Sequence, residues 1–203
     1  MKPYFPQEHP PGQRMGSSLI TLTELTLPRG EKLLGLVHVY TGNGKGKTTS
    51  ALGLALRASG HEMRTLFVQF LKGRESGEVK ALKGNKFIDI ETFGTGEFFT
   101  ESKRDLFLEY CRKGLERVRN GMRSGRYHII VLDEVNVAMH LGLIEEKEIL
   151  SLMETSRELG VELILTGRNA PKSVIERADL VTEMVEVKHP YNSGVKARMG
   201  IEW

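Results

Sequence analysis

The chain has 203 residues, with 29 basic and 26 acidic side chains for a formal net charge of +3, and is 39% hydrophobic and 27% charged. That length suits one domain with a full core and leaves little room for a second. The balanced charge argues against nucleic acid as a partner, where a clustered basic face is expected, and no apolar run is long enough to span a bilayer. A single cysteine, Cys111, excludes an intramolecular disulfide and a cysteine-rich metal site. The sequence lacks a basic start followed by an apolar stretch and a cleavage site, so the expectation is a cytoplasmic protein without a signal peptide.

Residues 1–30 read as an N-terminal arm, extended or partly disordered. Pro3, Pro6, Pro10 and Pro11 interrupt its start, which has no periodicity. Within it, residues 18–27 (SLITLTELTL) alternate and suit a short strand. Residues 31–203 read as the folded domain. A short apolar run over 33–40 ends in a Gly-rich turn and predicts a buried strand. Residues 47–59 carry Ala51, Leu54, Ala55 and Ala58 at helical spacing, with Gly60 as a stop. Strands follow at 65–71 and 87–91. Residues 100–123 predict a helix with Leu106, Tyr110, Leu115 and Val118 on its apolar stripe and Thr100 as N-cap; Cys111 is read as a packing residue in it. Next come a strand at 127–132, a helix at 145–159 ended by Gly160, a strand at 161–165, a short helix at 171–177 begun by Pro171, and a strand at 180–187.

Strands and helices alternate, and the strands are near-continuous apolar runs. Both features predict an α/β domain with a mostly parallel central sheet covered by helices on both faces. In such sheets ligands sit beyond the C-terminal ends of the strands. Three polar segments follow strands, at 41–49, 133–136 and 166–169, and are expected to converge there.

The first of these, TGNGKGKTT at 41–49, lies between a strand and a helix, the context a phosphate-binding P-loop requires. Gly42, Gly44 and Gly46 let backbone N–H groups turn toward phosphate oxygens, aided by the N-terminus of the following helix. Lys47 supplies a point charge, and the Thr48 hydroxyl is the usual Mg²⁺ ligand. Thr41 stands where the standard pattern has glycine. The second segment, Asp133-Glu134 after an apolar strand, is the acidic pair that holds Mg²⁺ directly or through water in such sites; either residue fits as the direct ligand. The third segment places Arg168 where it reaches a phosphate or a developing charge.

The motifs TGNGKGKTT, VQFLKG (68–73), VLDEVN (131–136), LTGRNAP (165–171), ADLVTEM (178–184) and VKHPYNSGVKARMGIEW (187–203) occur in that order. Together they resemble the P-loop family of cob(I)alamin, or corrinoid, adenosyltransferases, over nearly the whole chain from about Leu33. The resemblance implies a RecA-like P-loop fold, often in a homodimer. It implies transfer of the 5′-deoxyadenosyl group of ATP to Co(I) of a corrinoid, with the nucleotide reversed in the loop and triphosphate as the leaving group. ATP contacts then fall on Thr41, Gly42, Asn43, Gly44, Lys45, Gly46, Lys47, Thr48 and Thr49, with Arg168 and Asn169. Mg²⁺ falls on Thr48 with Asp133 or Glu134, and the groups that act in the reaction are Lys47, Thr48 and Glu134. In the family, aromatic residues after the third strand wall the corrin. Here the candidates are Phe98 and Phe99, each of which also fits a core role. A lone cysteine offers no dithiol for reducing cobalt, so an external reductant such as a flavoprotein is expected. His189 has no companions at metal-ligand spacing and reads as a structural or nucleotide contact. Two other readings share the P-loop: an ordinary ATPase or kinase, and a RecA-type nucleic-acid-binding module.

Overall fold

The computed structural model describes residues 33–73 and 76–202. The arm of residues 1–30, with the strand expected at 18–27, lies outside the described residues. Six strands, β1 (Val37–Thr41), β2 (Thr65–Phe70), β3 (Ile88–Phe93), β4 (Ile129–Asp133), β5 (Glu162–Thr166) and β6 (Leu180–Glu183), form one sheet in the order β3-β2-β4-β5-β1-β6. Every pairing is parallel. The helices are α1 (Lys47–Ser59), α2 (Gly77–Leu82), α3 (Arg104–Arg123), α4 (Val135–His140), α5 (Glu146–Leu159) and α6 (Lys172–Arg177).

The central strands β2 and β4 are buried along their whole length, as a sheet covered on both faces requires. The two-residue period of the strands sorts their side chains. Val37, Val39, Leu66, Val68, Ile130, Leu132 and Leu163 pack with α3 and α5 on one face. Phe67, Ile129, Val131 and Ile164 pack on the other face with Ala51, Ala55 and Ala58 of α1. Strand β5 lies between β1, which leads into the Gly-rich loop, and β4, which ends in the acidic pair. This is the RecA-like P-loop arrangement that the resemblance implied. Among the described residues, no helix is long and apolar enough to cross a membrane.

Helix α3 turns differently from its expected stripe. Leu115 and Val118 are buried as expected, but Leu106 is 43% exposed and Tyr110 only half-buried, and the buried face also runs through Phe107, Cys111, Gly114 and Gly121. The two glycines explain the rotation. A Cβ at Gly114 would lie 2.6 Å from Phe70 Cε1, and one at Gly121 would lie 2.5 Å from Leu66 Cδ2. The helix therefore presents its glycines to the sheet, and β2 side chains fill the space. Cys111 is 1% exposed on this face, and burial pushes its thiol up to about 12. Thr100 does stand at the start, in extended conformation ahead of a 3₁₀ turn at Glu101–Lys103, but its hydroxyl pairs with Ser102 Oγ at 3.1 Å and caps no backbone amide.

Two short helices, α2 and α4, were not foreseen, and two strands begin late. The chain from 33 to 36 and from 127 to 128 lies outside the ladder expected there. The last strand is shorter than the expected 180–187. Met184 donates its N–H to Thr41 O at 2.9 Å and then gives its own carbonyl to Gly44 N at 2.6 Å. The chain thus leaves the sheet to cross the Gly-rich loop.

The glycines of the helices should separate by context. Gly114→Ala will destabilise the fold by about 1–3 kcal/mol through overpacking against Phe70. Gly53→Ala, on the exposed side of α1 with nothing within 4 Å of its added Cβ, will stabilise it by about 0.5–1 kcal/mol. Urea denaturation of both variants checks the opposite signs.

Candidate active site

The loops after β1, β4 and β5 meet at Asp133, which is fully buried. Its Oδ1 accepts from Thr48 Oγ1 at 2.8 Å and from Thr166 Oγ1 at 2.6 Å. Its Oδ2 accepts from Lys72 Nζ at 2.9 Å and from Gln69 Nε2 at 3.0 Å. Thr166 Oγ1 also accepts from Glu134 N at 3.1 Å, tying the ends of β4 and β5 together.

Glu134 follows in left-handed backbone conformation, with φ of 63°. For a residue with a Cβ this costs about 1–3 kcal/mol and is found where function holds it in place. Among the described residues no donor bonds its carboxylate. Burial, and then the neighbouring Asp133 charge, raise its pKa, while Lys72, Lys47 and Arg168 partly counter the shift. Lys47 curls back over its own loop, donating to Gly42 O and Gly44 O at 2.7 Å each. Burial lowers its pKa and Glu134 offsets part of that. For Lys72, burial works the same way, but the Asp133 charge and hydrogen bond outweigh it and its pKa is raised.

The glycines of the loop have a steric reason. A Cβ at Gly42 would lie 2.5 Å from Met184 O, and one at Gly44 would lie 2.7 Å from the same atom. The loop encloses one side of a cavity of about 980 Å³, lined also by Leu52, Lys72, Glu78, Phe98, Glu134, Val137, Arg168 and His189, and by Gly200, Ile201 and Glu202 of the C-terminal tail.

A family profile described as ATP:corrinoid adenosyltransferase BtuR/CobO/CobP matches residues 34–203. The chain belongs to the ATP:corrinoid adenosyltransferase family. It is 37% identical over 172 residues to a corrinoid adenosyltransferase of Sinorhizobium, covering 83% of this chain and 80% of that protein. It is 31% identical over 169 residues to the corrinoid adenosyltransferase of Escherichia coli K12, covering 83% and 86%. An uncharacterised Nostoc protein, all2391, is 36% identical over 177 residues, but the match spans 80% of this chain and only 47% of that protein. The protein is thus a transferase with ATP and a corrinoid as substrates.

In this adenosyltransferase the cavity gathers Asn43, Gly44, Lys45, Gly46, Lys47, Thr48, Thr49, Phe98, Glu134 and Arg168 from among the residues the sequence singles out. Arg168 leans on the loop, its Nη2 donating to Asn43 O at 3.4 Å. The remaining candidates stand outside the lining. Thr41 Oγ1 accepts from Ala170 N at 3.3 Å, joining the loops after β1 and β5. Gly42 contributes its carbonyl to Lys47. Asn169 is exposed in left-handed conformation. Asp133 lies beneath the cavity floor. Phe99 turns inward, edge to face with Phe107 at 5.5 Å.

Gln69 and Lys72 were missed as site residues, and Thr166 was placed only as the start of a segment expected to reach the site. A glutamine inside an otherwise apolar strand was the available signal for Gln69, and a lysine directly after the same strand for Lys72. The tail residues 200–202 stood in the motif at 187–203 but carried no sign of a place in the site, because only the folded path of the chain brings them back to the loop.

The raised pKa of Glu134 gives a signed prediction. Its folded value lies above its unfolded one, so ionised Glu134 costs stability, and stability falls as pH rises through the interval between the two values. In chelator and without nucleotide, Glu134→Gln will raise the melting temperature at pH 7. The gain will shrink as pH drops toward the ordinary carboxylate range. Melting curves at several pH values check it.

Proposed function

We propose that Co(I) of the bound corrinoid attacks the 5′ carbon of ATP in this cavity. The cobalt electron pair forms the Co–C bond, the C5′–O bond breaks, and its electrons leave with triphosphate. The observation that carries this reading is that one cavity joins the phosphate loop to Phe98, which is 95% exposed. A phenylalanine so exposed at the mouth of a polar site suits a flat apolar ligand face rather than a core.

The residues act on the leaving group. Loop amides and the Lys47 ammonium stabilise charge as it develops on the triphosphate. Lys47 needs only to swing from its own loop carbonyls to the phosphates. The hard oxygens of Thr48 and Glu134 fit Mg²⁺, and Glu134 has no competing donor among the described residues. All four acceptor positions of Asp133 are engaged, so it supports the cation site through Thr48 instead of binding directly. When bound, Mg²⁺ supplies positive charge to the triphosphate oxygens. No side chain has to act as a nucleophile or general base, because Co(I) supplies the electron pair.

An external reductant such as a flavoprotein completes the proposal, since the only thiol is buried and protonated. Residues 31–203 act as one nucleotide-binding domain, with the arm of residues 1–30 outside it. The exposed edge strand β6, with Leu180 and Val181 each about two-fifths accessible, supports a homodimer. The absence of a membrane-crossing helix among the described residues is compatible with the cytoplasm as the place of action.

Incubation with ATP, Mg²⁺ and chemically reduced cobalamin will yield the Co–C product spectrum and inorganic triphosphate, resolved by anion exchange. Stoichiometric ADP would instead make the protein an ATPase or kinase. Lys47→Ala and Thr48→Ala will each lower kcat by about 100-fold or more with circular dichroism unchanged.

The two phenylalanines should part company. Phe98→Ala will leave the melting temperature unchanged while raising KM for the corrinoid. Phe99→Ala will cost about 1–3 kcal/mol of stability through its lost packing on Phe107. Denaturation and steady-state kinetics on both variants decide it.

A further inference from the structure

The C-terminal tail returns to the phosphate loop and places a carboxylate on it. Glu202 Oε1 accepts from Lys45 Nζ at 3.1 Å, and Ile201 O accepts from the same ammonium at 2.8 Å. Arg198 closes around the other side. Its backbone N–H donates to Glu202 Oε2 at 2.7 Å, its Nε to the same oxygen at 3.3 Å, and its Nη2 to Oε1 at 3.1 Å. These hydrogen bonds hold the Glu202 carboxyl down to about 2, so it is an anion at any working pH. Among the described residues, three carboxylates line the cavity. Glu78 lies 3.8 Å from Lys72, and Glu134 has no donor among the described residues. Of these, Glu202 is the one paired with a residue of the phosphate loop among the described residues.

A carboxylate and a phosphate accept the same charge-assisted hydrogen bonds from lysine and arginine. We propose that Glu202 is an internal phosphate mimic, which competes with bound triphosphate for Lys45 and so hastens release of that product. The reason lies in the reaction. Its leaving group is a free polyanion that departs from a cationic loop, and product release limits many enzymes. A carboxylate carried on the tail takes over the Lys45 ammonium as the product departs. The pair is half-open to solvent, with Lys45 47% and Glu202 21% accessible at their side chains, so the exchange requires no opening of the core.

This inference rests on the proposed phosphate-loop site, and one titration separates their fates. Calorimetry of the full chain with Mg²⁺ and either ATP or inorganic triphosphate is run on wild type, Glu202→Gln, Lys45→Ala and the double variant. Glu202→Gln should bind triphosphate about tenfold more tightly, and steady-state assays should show a lower kcat with stronger triphosphate inhibition. In the Lys45→Ala background the same substitution should change triphosphate affinity far less, a coupling that an independent effect would not produce. Unchanged or weaker triphosphate binding by Glu202→Gln overturns the proposal, because a mere tail anchor predicts loss for both ligands. A gain undiminished in the Lys45→Ala background overturns it too. Wild-type protein that binds neither ligand sinks the site assignment itself, and this inference with it.

Discussion

A buried carboxylate organises this active site. Asp133 is removed from water at the end of β4, and an isolated charge there would be prohibitive. It is tolerated because each oxygen accepts two hydrogen bonds, from donors on four separate parts of the chain: Thr48 at the start of α1, Gln69 in β2, Lys72 after β2, and Thr166 at the end of β5. The phosphate loop is consequently set against the sheet by the need to satisfy one group. Removing a partner from such a buried network typically costs about 3–5 kcal/mol, a large share of the stability of a single domain. Parallel strands make the arrangement possible, since all of them deliver their C-terminal ends, and these donors, to one edge.

The second constraint is crowding above the loop. The chain leaving β6 passes so close to Gly42 and Gly44 that a Cβ at either would meet the Met184 carbonyl. Glycine is thus required twice over, for the turns that aim amides at phosphate and for the overpass that follows β6. The overpass also steers the tail back to the cavity. Adenosyl transfer from ATP leaves a whole triphosphate behind, and the fold presents cations on the loop, a strained Glu134 opposite them, and an exposed Phe98 lining the same cavity.

Much of this was legible in the sequence for a physical reason. Strand-loop-helix order and the Gly-Lys-Thr ending are local, and helix α1 runs from Lys47 to Ser59 as its alanine spacing predicts. The alternation of apolar strands with helices was enough for a mostly parallel sheet, and every pairing in it is parallel. What local pattern could not carry was rotation and long-range return. The stripe of α3 follows Gly114 and Gly121, whose lack of side chain matters only once β2 lies beneath them. Phe98 and Phe99 are adjacent and chemically identical, yet one faces solvent and the other Phe107. The role of Thr166 depends on β5 lying between β1 and β4, an order not written in any single segment.

The burial of Cys111 has a consequence for the metal the enzyme handles. Reduced cobalt in a corrinoid is a soft centre, and thiolate is the soft ligand among protein side chains. A thiolate at the cavity would compete for an axial position on the metal and trap it. Here the only sulfhydryl of the chain is sealed between α3 and β2 and kept protonated by its surroundings. Lysine, threonine, glutamate and arginine, which dominate the polar lining, are hard partners suited to phosphate and magnesium. The cavity is thus lined by hard donors, and the one thiol of the chain is kept away from it in the core.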